Sequence, residues 1–135
     1  MGKMAVIAHG GAGTGPERQK NLQRAVHVAS ELLLAGASAV EAAVEACVVL
    51  EDDPVFNAGT GGVFRTDGSI LLDASIQTSD GRIGFVIAMP NTPNPIRVAA
   101  DLLDEPINGL TGIGARKWAD NRGHAKRPVE GREPI

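Results

Sequence analysis

Residues 66–89 read TDGSILLDASIQTSDGRIGFVIAM, and they decide the fold. Asp67-Gly68 and Asp80-Gly81 each stand between apolar runs. Asp-Gly in that setting is a strong hairpin signal, because the tight turn needs positive φ, which glycine supplies without strain. VFR (63–65) and SILLDAS (69–75) flank the first turn, and RIGFVIAM (82–89) follows the second. Strands joined this way pair antiparallel. Doubly wound folds, by contrast, alternate one strand with one helix.

The elements on either side fit a helix-covered sheet. MAVIA (4–8) predicts a buried strand. Pro16 or Glu17 opens a helix to about Ala35, with Leu22, Ala25, Val26, Ala29, Leu32 and Leu33 as its apolar stripe. Gly36 suits the position just past its end. Ser38 and Glu41 make an S-x-x-E capping box for a second helix. Its stripe is Val40, Ala43, Val44, Cys47 and Leu50. Asn94-Pro95 starts a third helix to about Leu103. INGLTGI (107–113) is a short apolar stretch, and a last helix lies around Ala115–Ala119. The predicted order is β-α-α-β-β-β-α-(β)-α, an α+β arrangement. Residues 1–120 form one unit. Residues 121–135, polar and broken by Pro128 and Pro134, are expected to be a loose tail.

Composition removes several function classes. The chain has 135 residues, 43% apolar, with a net charge of −3 and no tyrosine. No basic patch interleaved with aromatics is present, which argues against nucleic-acid binding. The apolar runs are far shorter than a membrane span. Only five apolar residues follow Lys3 before His9, so no signal-peptide pattern is present and a cytoplasmic location is the simplest expectation. Cys47 is the single cysteine, which leaves no disulfide framework or cysteine-based metal site.

Two glycine-rich stretches carry the remaining information. HGGAGTGPE (9–17) has P-loop spacing between Gly10 and Gly15. A P-loop then needs Lys and Ser or Thr, and here Pro16 and Glu17 stand in those places; a carboxylate there repels phosphate. The glycines serve a close-packed turn equally well. His9 fits a hydrogen-bonded strand-end residue as readily as a functional one.

LEDDPVFNAGTGG (50–62) is the more informative stretch. Glu51, Asp52 and Asp53 sit at the carboxyl end of the second helix. Each carboxylate there is unfavourable by ~0.3–1 kcal/mol against the macrodipole. The helix end also leaves carbonyls without partners. Carboxylates beside free carbonyls suit a hard cation, Na⁺ or Ca²⁺ rather than Zn²⁺. A solvated acidic turn is the competing reading. His27 reads as a surface or packing residue, His124 as part of the tail, Cys47 as core and Asp80 as a turn residue. Asp73 has no predicted partner. No self-contained catalytic constellation is present.

In order, HGGAG, SAVEAAVEACVVLEDDPVFNAGTG, DGSILLDASI, NPIRVAADLL and GIGARKWA resemble the α subunit of the plant-type L-asparaginases, a family that includes isoaspartyl peptidases. The resemblance covers residues 5 to about 120. It implies an N-terminal nucleophile hydrolase with a four-layer αββα sandwich, completed by a separate β subunit in an (αβ)₂ heterotetramer. It implies a precursor that cleaves itself before a threonine. That threonine, opening the β subunit, attacks the side-chain amide of asparagine or a β-aspartyl peptide bond, with its own α-amine as base. No catalytic nucleophile is then expected in this chain, since Thr14, Thr60 and Thr111 lie inside motifs that match the α subunit.

The resemblance gives supporting roles to His9, Gly10 and Gly11 as a mobile loop beside the scissile site. It gives Asn57 a place close to the nucleophile. It implies a structural Na⁺ held by main-chain oxygens of Leu50, Glu51, Asp53, Phe56, Ala58 and Thr60. One departure is Gln77–Asp80, where SIQTSDGRIGFVIAM replaces the family's usual AIMDG and Gly-Ala-Val strand. An alternative from another class is a non-catalytic binding or regulatory domain that keeps only the α half.

Overall fold

The computed structural model describes residues 2–13 and 15–134; Thr14 and the chain end at Ile135 lie outside the described residues. Helices α1 (Gln19–Leu34) and α2 (Ala39–Asp52) come first, followed by strands β1 (Leu71–Gln77) and β2 (Ile83–Pro90). Helix α3 (Pro95–Asp101), strand β3 (Gly109–Thr111) and helix α4 (Gly112–Asn121) complete the order. The sheet is ordered β1-β2-β3, with β1 and β2 antiparallel and β3 parallel to β2. The molecule is therefore mixed α/β with a three-stranded sheet.

Local signals set most of these elements. The Ser38 hydroxyl accepts from the Glu41 N–H at 3.1 Å, and the Glu41 carboxylate accepts from the Ser38 N–H at 2.8 Å. These are the two reciprocal bonds of a capping box. The Asp80-Gly81 turn closes the β1–β2 hairpin, with the Thr78 N–H donating to the Arg82 carbonyl at 3.0 Å. Pro95 opens α3 at the expected place. Near the far end of the hairpin, the pairing register shifts between Leu72 and Ala74. Opposite that shift Ala88 takes a φ of 52°, and its N–H donates to the Asp73 carboxylate at 2.7 Å.

The core lies on one side of the sheet. Val86, Met89, Val98, Leu102, Ala115 and Ala119 are each fully buried between the sheet, α3 and α4. Val44 of α2, with Ile96 and Ala99 of α3, extends this layer, and Ala74 and Ile76 of β1 pack against it. Helix α1 packs on α2.

Three expectations change. Met4–Ala8 does not form a strand. Val6 and Ala8 are half-buried, while Ile7 is 95% exposed. The alternation of a strand is present, but a strand is defined by its ladder, and no described residue pairs with this one. VFR contributes only a single bridge, Val63 to Arg132, although the Asp67-Gly68 turn itself forms, with the Arg65 N–H donating to the Ser69 carbonyl at 2.8 Å.

The tail is also not loose through residue 132. The guanidinium of Arg116, 4% exposed, donates to the carbonyls of His124 at 3.1 Å and Ala125 at 3.0 Å. The Arg127 N–H donates to the Asn91 carbonyl at 3.1 Å. Composition predicted disorder; a buried cation whose donors need partners overrides it.

Candidate functional site

The two glycine-rich stretches meet. A Cβ placed on Gly10 would lie 2.7 Å from Cε1 of the Phe56 ring, so only a glycine backbone lies this close to the buried aromatic. His9 and Leu50 line the same cleft of about 310 Å³, together with Ala29, Ala42, Ala46 and Cys47. The Gly11 N–H donates to His9 Nδ1 at 3.1 Å, closing the HGG turn on itself. Gly10 thus stands against the loop that follows α2. Phe56 supplies the contact surface.

That loop is shaped from within. Pro54 follows the last turn of α2, and residues 59–61 form a short 3₁₀ turn. Gly59 takes a φ of +47°, and a Cβ there would sit 2.4 Å from the Glu51 carbonyl oxygen. A Cβ on Gly61 would sit 2.0 Å from the Phe56 carbonyl oxygen and 2.6 Å from that of Pro54. Main-chain oxygens therefore crowd the glycine backbone from two sides. Asn57 fixes the loop laterally, its Oδ1 accepting from the Val63 N–H at 3.2 Å.

The acidic side chains are used differently from one another. Glu51 is 6% exposed and turns inward, where it caps α3. Its carboxylate accepts from the Ile96 N–H at 3.0 Å and from Asn94 Nδ2 at 3.1 Å. A neighbouring helix thus supplies the cap that Asn94 does not give its own. Burial pushes the Glu51 carboxyl up to about 7, against the opposing pull of those hydrogen bonds. Asp52 accepts from the same Asn94 amide at 2.9 Å.

Asp53 behaves in the opposite way. Burial acts to raise its pKa, but donors from Asn21 at 2.7 Å, the Val55 N–H at 3.1 Å and Arg24 at 2.5 Å outweigh it, and the carboxyl is held below its ordinary value. With each carboxylate so engaged, the described residues contain no group of three His, Cys, Asp or Glu side chains placed to hold a metal. The other oxygens of this loop include its main-chain carbonyls. Those of Asp53, Ala58 and Thr60 each accept one N–H, from Phe56, Gly61 and Gly131. A carbonyl oxygen has two lone pairs, so a second acceptor position remains on each.

Apart from Cys47, which lines the cleft, the remaining predicted residues lie away from this site. His27 is exposed. His124 pairs with Asp101 at 2.7 Å. Cys47 is half-buried, and burial raises its thiol pKa. Asp80 binds Thr78 and Arg82 within its own turn. Two features of the site escape sequence reading. One is the inward turn of Glu51, signalled only by an apolar stripe that runs to the helix end. The other is the contact of Gly131 with Thr60, for which the sequence carries no signal.

Fold and site together define a class: a mixed α/β chain whose N-terminal HGG turn and oxygen-lined Asn-Ala-Gly loop are brought to one place. The chain belongs to the asparaginase family, whose model matches residues 2–131. It is 37% identical over 135 aligned positions to the isoaspartyl peptidase/L-asparaginase of Mus musculus, covering 94% of this chain and 41% of that protein. Identity to the protein of the same name from Macaca fascicularis is 40% over 134 positions, covering 93% and 43%. The plant-type L-asparaginase of Pyrococcus abyssi is 38% identical over 124 positions, covering 86% and 40%. The chain spans about two fifths of the length of these curated relatives. Among the described residues, no helix is long and apolar enough to cross a membrane.

Proposed function

We propose that this chain is the α portion of an amidohydrolase that converts L-asparagine to aspartate and ammonia, cleaves β-aspartyl dipeptides, or does both. The contact of Gly10 with Phe56 carries the reading, because it joins the two family motifs at one point beside a loop whose main-chain oxygens crowd its glycines. Membership of the asparaginase family and the names of the relatives support the substrate class.

In this reading the nucleophile is a threonine that opens a second chain, released from the same precursor by self-cleavage. Its hydroxyl oxygen attacks the amide carbon, and its own α-amine takes the proton and passes it to the leaving ammonia. Water then hydrolyses the ester. His9–Gly11 and Asn57 flank that threonine as positioning residues. A sodium ion held by the carbonyls of Leu50, Glu51, Asp53, Phe56, Ala58 and Thr60 would supply fixed positive charge that ties the loop together. Neutral carbonyl oxygens are suitable ligands for an alkali cation.

The uncovered face of the sheet supports the partner. Ile83 and Ile87 are 36% and 47% exposed there. A second sheet from the β chain would cover them and give the four αββα layers, and two αβ units would form the (αβ)₂ assembly. Incubation of the full-length protein, followed by N-terminal sequencing and ammonia assay, tests this. A new chain beginning with threonine, together with ammonia from asparagine or aspartate from β-aspartyl peptides, is expected. An uncleaved chain with neither activity would overturn it.

A further inference from the structure

We propose that Arg116 and residues 124–132 form a brace that positions the loop from Asn57 to Gly62. Arg116 is the anchor. Its guanidinium is 4% exposed and holds Thr92 Oγ1 at 2.7 Å, Asp120 at 3.1 Å, and the His124 and Ala125 carbonyls. The fork geometry of arginine lets one side chain grip a helix, a loop and the departing tail at once. Four residues past Arg127, whose N–H bonds to Asn91, the chain reaches the glycine loop.

There the pairing is continuous. The Gly131 N–H donates to the Thr60 carbonyl at 3.0 Å, the Arg132 N–H to the Gly62 carbonyl at 2.9 Å, and the Phe64 N–H to the Arg132 carbonyl at 3.0 Å. Val63, at the centre of this bridge, is also the residue whose N–H the Asn57 side chain holds. The tail therefore fixes the orientation of the Thr60 carbonyl directly and of Asn57 through one intermediate residue. Gly131 is suited to this work: its φ is +70°, and a Cβ would lie 2.2 Å from Ile70 Cδ1 and 2.9 Å from the Phe64 ring. The consequence for a cation rests on the proposed function; the brace itself does not.

Two variants of the full-length protein test it, Gly131→Val and Arg116→Lys. The first cannot keep the tail seated. The second keeps a charge near Asp120 but cannot reach the several partners of the fork. Amide exchange is followed without alkali cations. The expected result in either variant is at least tenfold faster exchange at Val63 and Phe64, with the α2 amides unchanged. Unchanged exchange at Val63 and Phe64, or acceleration in step with α2, overturns the brace. A sodium titration of thermal stability is run beside it. The brace predicts a weaker sodium response in the variants than in the parent. A parent with no sodium response removes the cation reading and leaves the exchange result to decide the brace.

Discussion

Val86 and Ile87 are neighbours in one strand and meet opposite environments. Val86 points to the helices and is fully buried, while Ile87 points across the pleat and is 47% exposed. The same contrast runs along β2, with Met89 fully buried on one side and Ile83 36% exposed on the other. Period-2 alternation normally puts apolar residues on one face and polar residues on the other. Here β2 is apolar on both. The chain completes one interface alone and carries a second apolar face that stays half-exposed.

The covered face sets the largest expected effect. Leu102 is fully buried between α3, α4 and the sheet. Leu102→Ala removes its transfer energy and leaves a cavity, at a cost of about 2–5 kcal/mol. Chemical denaturation is expected to show a lower midpoint with an unchanged slope. A loss within about 0.5 kcal/mol would mean that the helix-covered face is no better packed than the bare one.

Glu51 tests the polar edge of the same covered side. Its carboxyl is raised to about 7 by burial, above its ordinary value of 4.5. The folded state therefore keeps a proton that the unfolded state gives up between these values. Stability is fully present below pH 4.5 and falls as pH rises through 7. The slope approaches about 1.4 kcal/mol per pH unit. Glu51→Gln keeps an acceptor for the Ile96 N–H and has no proton to lose. Its melting temperature, followed from pH 5 to pH 8 without alkali cations, is expected to lack that fall. An identical pH profile in parent and variant would assign the slope elsewhere.

What the sequence made legible was local. The Ser38–Glu41 capping box, the Asp80-Gly81 turn and the Pro95 start of α3 are each decided within a few residues, and each forms as read. The failures depend on distant partners. Met4–Ala8 has the composition of a strand and no ladder to join. The tail has the composition of a disordered segment, yet Arg116 holds it. The site was legible in the same proportion: its two motifs stand out in the sequence, but their meeting at Gly10 and Phe56 is a tertiary contact. The sequence places Glu51 in an acidic helix end, whereas its side chain caps another helix.

The bare face sets the smallest effect on the stability of this chain. Ile87→Ser gives up little buried area, because nearly half of the residue is already in water. A surface substitution of this kind is expected to move stability by no more than about 0.5 kcal/mol. Val86→Ser, one position earlier, loses a buried side chain and places a hydroxyl among Met89, Val98 and Leu102. An unpartnered buried hydroxyl alone costs roughly 1–3 kcal/mol. The pair of adjacent variants, melted side by side, measures the asymmetry of the sheet with the substituted residue type held constant. Equal losses would show that Ile87 is already covered within this chain. A near-neutral Ile87→Ser that nonetheless prevents a second chain from co-purifying would show what the bare face is for.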